Sequence, residues 1–361
     1  MDLVDLVALT LVPAARGRLV EAADVAQQTS PALESALDHL TFTGAPGPLR
    51  EAAWHALRRA VHAGLQPLPR DSPAYPPRLR ELPDHPLVLW VHGDVSVLRG
   101  QLVAIVGSRR ASQSGLDVAR RLGTDLAAVG LGVVSGLARG CDGAAHRGAL
   151  DGGGVTIAVL GSGADVIYPP EHDALAAAIV RAGGAVVSEL VPGTPPLPMH
   201  FPMRNRIISG LSRGVVVIEA GAGSGSLITA SCACEQGREV MVVPGSVLSG
   251  RNRGGHQLIR DGAALVETGE DVLAVLVGAQ PGGALEPANP GEPTGDPVLD
   301  VLAVDDPIDL DRICALTALP APQVLASLAA LEMAGRVRRQ AGGLFVRVAD
   351  RPPERPGPSR P

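Results

Sequence analysis

The sequence predicts an α/β fold: a parallel sheet covered by helices on both faces, preceded by a helical domain and followed by a small winged helix. Three observations carry this. Six apolar, mostly β-branched runs recur between Leu102 and Val243, with helix-like segments between them. The runs are apolar throughout rather than alternating, which is how strands read when both faces are buried. Glycine-rich turns follow these runs repeatedly, where a parallel sheet places its ligand-binding edge.

The chain has 361 residues and a formal net charge of −6, and it contains no lysine. A lysine Schiff base and a P-loop lysine are therefore excluded. Phosphate contacts by basic side chains must use arginine, which can grip two oxygens at once. The acidic total argues against a uniformly basic nucleic-acid binder but leaves room for a local basic groove. Aromatic residues make up only 2%, so an exposed one is informative. Cys141, Cys232, Cys234 and Cys314 lack metal-ligand spacing and are expected to be small buried apolar side chains in a reducing cytoplasm. No apolar run reaches the length of a membrane span and no signal peptide is evident, so a cytoplasmic protein is expected.

Residues 1–66 read as a domain of short amphipathic helices: Leu3, Leu6 and Val7, then Leu33, Leu37 and Leu40, recur at helical spacing. Ser30-Pro31 followed by Glu34 marks a helix start. Between Leu11 and Val20, Ala14 and Ala15 stand where a DNA-binding hairpin would use glycines, so a packing or interaction module is expected there. Residues 67–99 are a Pro-rich strap opening the central domain, residues 67–277. The strand runs there are Leu102–Val106, Gly132–Ser135, Thr156–Leu160, Ala185–Ser188, Val215–Ile218 and Glu239–Val243, with helices such as Gly115–Val129 and Asp173–Arg181 between them. Residues 278–297 have the composition of a flexible linker. Residues 298–348 suggest three helices and a hairpin around Gly342-Gly343, a winged helix expected to be dispensable for the primary ligand contact, and 349–361 read as a disordered tail.

The first strand ends in VGSRR, where Gly107, Ser108, Arg109 and Arg110 precede a helix. Arginine stands where a dinucleotide site needs glycine, so this is a phosphate loop rather than an NAD site. The second ends in SGLARGCDGAAHRGAL, with Gly136 in a tight turn, Arg139 toward the groove and Asp142 placed to cap the next helix. His146 in that helix lacks a nucleophile or carboxylate partner and reads as structural. Gly161 and Gly163 follow the third strand; Tyr168-Pro169-Pro170 sets the entry to the next helix, and His172 reads as exposed. In FPMRNRIISGLS, Phe201 with Arg204, Asn205 and Arg206 at a helix start suits an unstacked base and its phosphates. Gly223, Ser224, Gly225 and Ser226 form a further phosphate cradle. A last glycine-rich turn carries Arg251, Arg253 and Arg260. No catalytic set, metal site or cofactor is expected.

These motifs, spread in order over residues 71–276, resemble the DprA/Smf family of DNA-processing proteins. The resemblance implies an extended Rossmann-like fold that binds single-stranded DNA, forms a homodimer and helps load the RecA recombinase during DNA uptake and recombination. It places phosphate and base contacts on Gly107, Ser108, Arg109, Arg204, Asn205, Arg206, Ser224, Gly225 and Ser226, with Phe201 beside them. The sequence departs from the family pattern at His256, two residues before Leu258, and at Cys141. The alternative is a nucleoside-monophosphate phosphoribohydrolase on the same scaffold. Its P-G-G-x-G-T-x-x-E signature is replaced here by residues 220–226, with no glutamate before Glu235, which leaves Glu219 and Glu189 as the carboxylates to test. A transcription factor led by the winged helix is weaker, because Gln323–Met333 is poor in side chains that read bases.

Overall fold

Strands apolar on both faces need two covers, and the helices between them supply both. The computed structural model describes residues 1–27, 31–278, 295–303, 307–340 and 342–348, which fall into two units, 1–281 and 282–361. The expected linker lies almost wholly, and the expected tail wholly, outside the described residues.

The first unit opens with α1 (Leu3–Thr10), α2 (Arg16–Ala26), α3 (Ala32–His39) and α4 (Pro46–His62). Next come β1 (Gln66–Pro69), α5 (Pro77–Arg80) and β2 (Val88–Gly93). The alternating part contains β3 (Leu102–Val106), α6 (Gln113–Ala128), β4 (Gly132–Ser135), α7 (Cys141–Asp151), β5 (Thr156–Val159), α8 (Asp173–Arg181) and β6 (Ala185–Ser188). It ends with α9 (His200–Leu211), β7 (Gly214–Val217), α10 (Gly225–Glu235), β8 (Glu239–Val242), α11 (Arg253–Arg260), β9 (Ala264–Leu265) and α12 (Gly269–Leu276).

These strands form one nine-stranded sheet in the order β1-β2-β6-β5-β4-β3-β7-β8-β9. All neighbours from β6 to β9 run parallel, while β1 and β2 pair antiparallel with each other and β2 with β6. All six expected strands are present. The Pro-rich segment differs from the expected strap: its two ends are strands that extend the sheet beyond β6. Pro67 and Pro69 disguised β1, and they are tolerated because β1 is an edge strand, where a missing N–H costs little. Between those ends Tyr75 is buried and its hydroxyl donates to the Pro86 carbonyl at 2.7 Å.

Alternation along β3 divides the core. Ala104 and Val106 pack with Ile207, Ile208 and Leu211 of α9, while Val103 and Ile105 pack with Leu122 and Leu126 of α6. The N-terminal helices share a third cluster with Leu87, Val88 and Trp90, so the helical module is built onto β2. The helix start expected at Ser30-Pro31 is present, with Pro31 at the cap position rather than inside α3 and Glu34 in the first turn; Ser30 lies outside the described residues.

The second unit contains α13 (Pro297–Asp300), β10 (Ile308–Asp309), α14 (Leu310–Thr317), α15 (Ala321–Met333), β11 (Val337–Arg339) and β12 (Leu344–Arg347). Its sheet order is β10-β12-β11, antiparallel, around a core of Leu299, Ile313, Leu328 and Phe345. The three helices and the hairpin match the sequence reading, to which the structure adds the short β10. Among the described residues no single helix is long and apolar enough to cross a membrane; α14 and α15 pass such a test only together, and they are bent by 107°.

Helices α6 and α7 approach so closely that their backbones touch. A Cβ on Gly123 would lie 2.5 Å from the Ala145 carbonyl oxygen, and one on Gly148 would overlap the Arg120 carbonyl. Gly148→Ala should therefore destabilise the first unit by about 1–3 kcal/mol despite alanine's better helix propensity. Denaturant unfolding followed by the fluorescence of buried Trp90 checks this; an unchanged or raised midpoint would show that the helix pair can separate freely.

Candidate nucleic-acid interface

The strand order reverses at β3: the chain builds outward through β4, β5 and β6, then returns to place β7 on the other side. Loops leaving the carboxyl ends of β3 and β7 diverge there and open a crevice. A cleft of about 580 Å³ occupies this position, lined by the turn after β3, the start of α9 and the start of α10.

Gly107 begins the first wall. A Cβ there would lie 2.6 Å from Cys141 Sγ, so only glycine lets the turn pass over the start of α7. Ser108 N–H donates to the Glu219 carbonyl at 2.7 Å, and its hydroxyl accepts from Arg110 N–H at 3.1 Å. Arg109 and Arg110 are exposed, and neither forms an ion pair among the described residues. The Arg109 guanidinium lies 5.1 Å from the centre of the Phe201 ring, which in turn sits 5.5 Å from Tyr168.

The opposite wall is the start of α10. Ser224 caps it, its hydroxyl accepting from Ser226 N–H at 3.4 Å. A Cβ on Gly223 or Gly225 would meet nothing within 4 Å, so no protein neighbour demands glycine at either position, and the backbone there stands bare toward open space. Asn205 Nδ2 donates to the Gly225 carbonyl at 3.4 Å, linking α9 to this turn.

Arg204 forms the floor. It is 5% exposed, and its Nη1 donates to the Gly136 carbonyl at 2.7 Å and to the Val159 carbonyl, so it joins the ends of β4 and β5. Burial pushes its pKa down to about 10, partly opposed by Asp142. The Asp142 carboxyl is pushed up by burial, against the pull of Arg204 and the amides of Ala138 and Gly136. Asp142 does not cap α7 as expected. Gly140, with φ of 78°, precedes the helix, and Asp142 in its first turn reaches back to accept from Gly136 and Ala138 N–H at 3.1 and 3.4 Å.

The cleft thus brings together Gly107, Ser108, Arg109, Arg110, Phe201, Arg204, Asn205, Ser224, Gly225 and Ser226. The other expected residues lie elsewhere. Arg206 is buried and tied to Glu189 at 2.6 Å and Asp84 at 2.9 Å, because neighbours two apart on a helix point in different directions. Arg139 is exposed and paired with Glu171. Gly136 is covered by the Arg204 guanidinium, Gly161 lies beneath Phe201 and Gly163 packs against Asp165 and Gly193; Gly223 stands just outside the lining. Sequence reasoning missed Tyr168 and Asp142 as parts of the lining. It also missed Asn252, which is 3% exposed and bonds both Ala220 N–H and the Val243 carbonyl at 3.0 Å, holding the loops after β7 and β8 together. A lone amide side chain between two arginines in a glycine-rich run was the available signal.

A family model for DNA recombination-mediator protein A matches residues 66–277, and one for the DprA winged helix domain matches residues 283–343. The chain belongs to the DprA/Smf family. It is 40% identical over 331 residues to Protein Smf of Escherichia coli (strain K12), covering 90% of this chain and 87% of that one. Against DprA of Streptococcus pneumoniae it is 48% identical over 200 residues, 55% of this chain and 70% of that protein. The X-ray structure of Streptococcus pneumoniae DprA superposes with a TM-score of 0.66 at 36% identity, covering 76% of this chain and 98% of that one. A structure addressing the single-stranded DNA binding mode of Helicobacter pylori DNA processing protein A gives 0.53 at 27% identity, covering 60% and 98%.

In this DprA/Smf chain several other titratable groups near the cleft have protein partners. Glu219 accepts from the hydroxyl and N–H of Ser112 at the start of α6, and Glu189 pairs with Arg206 and Arg16. His172, expected to be exposed, is buried, its Nδ1 2.8 Å from the Leu137 carbonyl. Cys141 is buried and its thiol is pushed up to about 12 by that burial, whereas Cys234, expected inside, is exposed on α10. Among the described residues no group of three or more His, Cys, Asp or Glu side chains is placed to hold a metal ion.

His146, read from the sequence as structural, lies in the interior on α7. It is fully buried, and its Nδ1 lies 2.7 Å from Thr156 Oγ1, whose own proton goes to the Val133 carbonyl. Nδ1 therefore carries the ring proton, and the buried Nε2 has no hydrogen-bond partner among the described residues. Burial pushes the pKa from 6.5 to about 3. Below pH 6.5 the unfolded chain takes up a proton that the native ring refuses, so stability falls as the pH drops through this window. His146→Asn should lower stability at pH 7 yet flatten its decline between pH 6.5 and about pH 4. Denaturation midpoints measured across that range check it; parallel curves for the two proteins would contradict the assignment.

Proposed function

We propose that the cleft binds single-stranded DNA with little sequence preference, and that the protein acts by binding rather than catalysis. The observation that carries this is the pairing of an exposed, unpaired Arg109, lying on the ring of Phe201, with a bare glycine-serine turn at the start of α10 across the same cleft. Arginine and helix-start amides take phosphates of any sequence, and an aromatic face beside them takes any base. The single-stranded DNA binding mode addressed in the Helicobacter pylori relative supports the ligand class. Glu219 is bonded to a helix start and Glu189 is paired with arginine, which favours binding over the phosphoribohydrolase reading. The finer reading is that bound DNA is passed to a RecA-type recombinase by a cytoplasmic homodimer. It rests on family membership and on the family's description as a recombination mediator. In it the winged helix serves a secondary contact or partner docking.

Titration of labelled single and double strands tests the proposal. Arg109→Ala should leave the melting temperature unchanged and weaken single-strand binding by about 1.5–3 kcal/mol. Wild-type affinity should fall with salt at a log–log slope of about −0.7 per phosphate neutralised. Equal affinity for duplex and single strand, or an Arg109→Ala protein that binds as well as wild type, would overturn it. So would turnover of a nucleoside monophosphate by the purified protein.

A further inference from the structure

The strand-end edge carries another exposed feature beside the cleft. After β8 the chain runs through residues 244–250 before entering α11, and there Val247 is 76% exposed and Leu248 93% exposed. Arg251 and Arg253 follow, both exposed and without an ion pair among the described residues. Between them Asn252 is buried and fixed to the backbone on two sides, so its neighbours are turned outward. His256 Nε2 lies 2.9 Å from the Gly245 carbonyl and ties the far side of the loop to α11. Arg251 Nη1 donates to the Arg110 carbonyl at 3.3 Å, which sets this loop directly against the turn that forms the first wall of the cleft. The bond from Arg251 thus joins the segment carrying Leu248, Arg251 and Arg253 to the one carrying Arg109 and Arg110, and all four arginines are exposed.

We infer that Arg251, Arg253 and Leu248 form a second contact for single-stranded DNA, which receives the strand as it leaves the cleft past Arg110. This rests on the reading of the cleft as a single-strand site. Two guanidinium groups that carry no ion pair among the described residues, one of them held at the Arg110 carbonyl, suit further phosphates of a strand already bound in the cleft. An exposed leucine offers a base an apolar surface without reading its edges. The charge complementarity and the direct link to Arg110 favour DNA over a protein partner at this place.

The test uses the full chain and oligothymidylates of two lengths, about 6 and about 30 nucleotides, the shorter able to fill little more than the cleft. The R251A/R253A variant should keep the wild-type melting temperature and bind the short strand as wild type does. It should bind the long strand about five- to tenfold more weakly, with a log–log salt slope shallower by about 1.4. R251K/R253K should restore most of the long-strand affinity, since lysine keeps the charge. L248S, which leaves every arginine in place, should weaken the long strand alone by a smaller factor. Unchanged long-strand binding by R251A/R253A would overturn the inference while leaving the cleft reading intact. So would an equal loss on both lengths, or a folded lysine variant no better than the alanine one. Failure of the wild type to bind either length would instead bring down the cleft reading, and this inference with it.

Discussion

A guanidinium shut away from water must be surrounded by acceptors, because an uncompensated buried charge costs several kcal/mol. Arg204 meets this demand by taking the carbonyls at the ends of β4 and β5, with the Asp142 carboxylate close enough to oppose the effect of burial. Asp142 in turn accepts from the turn amides at Gly136 and Ala138. Two buried groups, Arg204 and Asp142, therefore link the ends of two strands, the start of α7 and α9, and so fix the cleft floor. Gly136 has no Cβ because that guanidinium occupies its place. The walls follow from the floor: α9 anchored by Arg204 presents Phe201, and Phe201 carries Arg109.

The lysine-free composition gives arginine two kinds of work, and burial separates them. Arg204 and Arg206 are structural, spent on carbonyls in one case and on Glu189 and Asp84 in the other. Arg139, Arg120 and Arg59 sit in exposed ion pairs that contribute little to stability. Arg109 and Arg110 stand unpaired at the cleft. A net charge of −6 is thus compatible with a locally positive strand-end edge, because the field near a patch is set by the charges close to it rather than by the total.

Much of the fold was legible because its cause is local. A strand buried on both faces must be apolar along its length, so β3 to β8 announced themselves, and Asp173–Arg181 was placed to the residue. β1, β2, β9 and β10 were hidden. The first two lie in a proline-rich segment whose pairing is decided by β6, far along the chain, and the last two are only two residues long. The same divide runs through the site. Backbone turns after strands could be read from glycine and serine, and most of the expected turn residues do line the cleft. Side-chain direction within a helix could not. Arg204 and Arg206 look alike in FPMRNR, yet one enters the cleft floor and the other points to Glu189. Asn252 was missed for the same reason, its partners being contributed by two separate loops.

The central claim is that DNA lies across the strand ends of the sheet, between the turn after β3 and the start of α10. Amide hydrogen exchange of the full-length protein, with and without a single-stranded oligonucleotide, tests it most directly. The account predicts slowed exchange on DNA addition in peptides spanning Gly107–Arg110 and Gly223–Ser226. Protection confined to residues 298–348, with the cleft peptides unchanged, would contradict it.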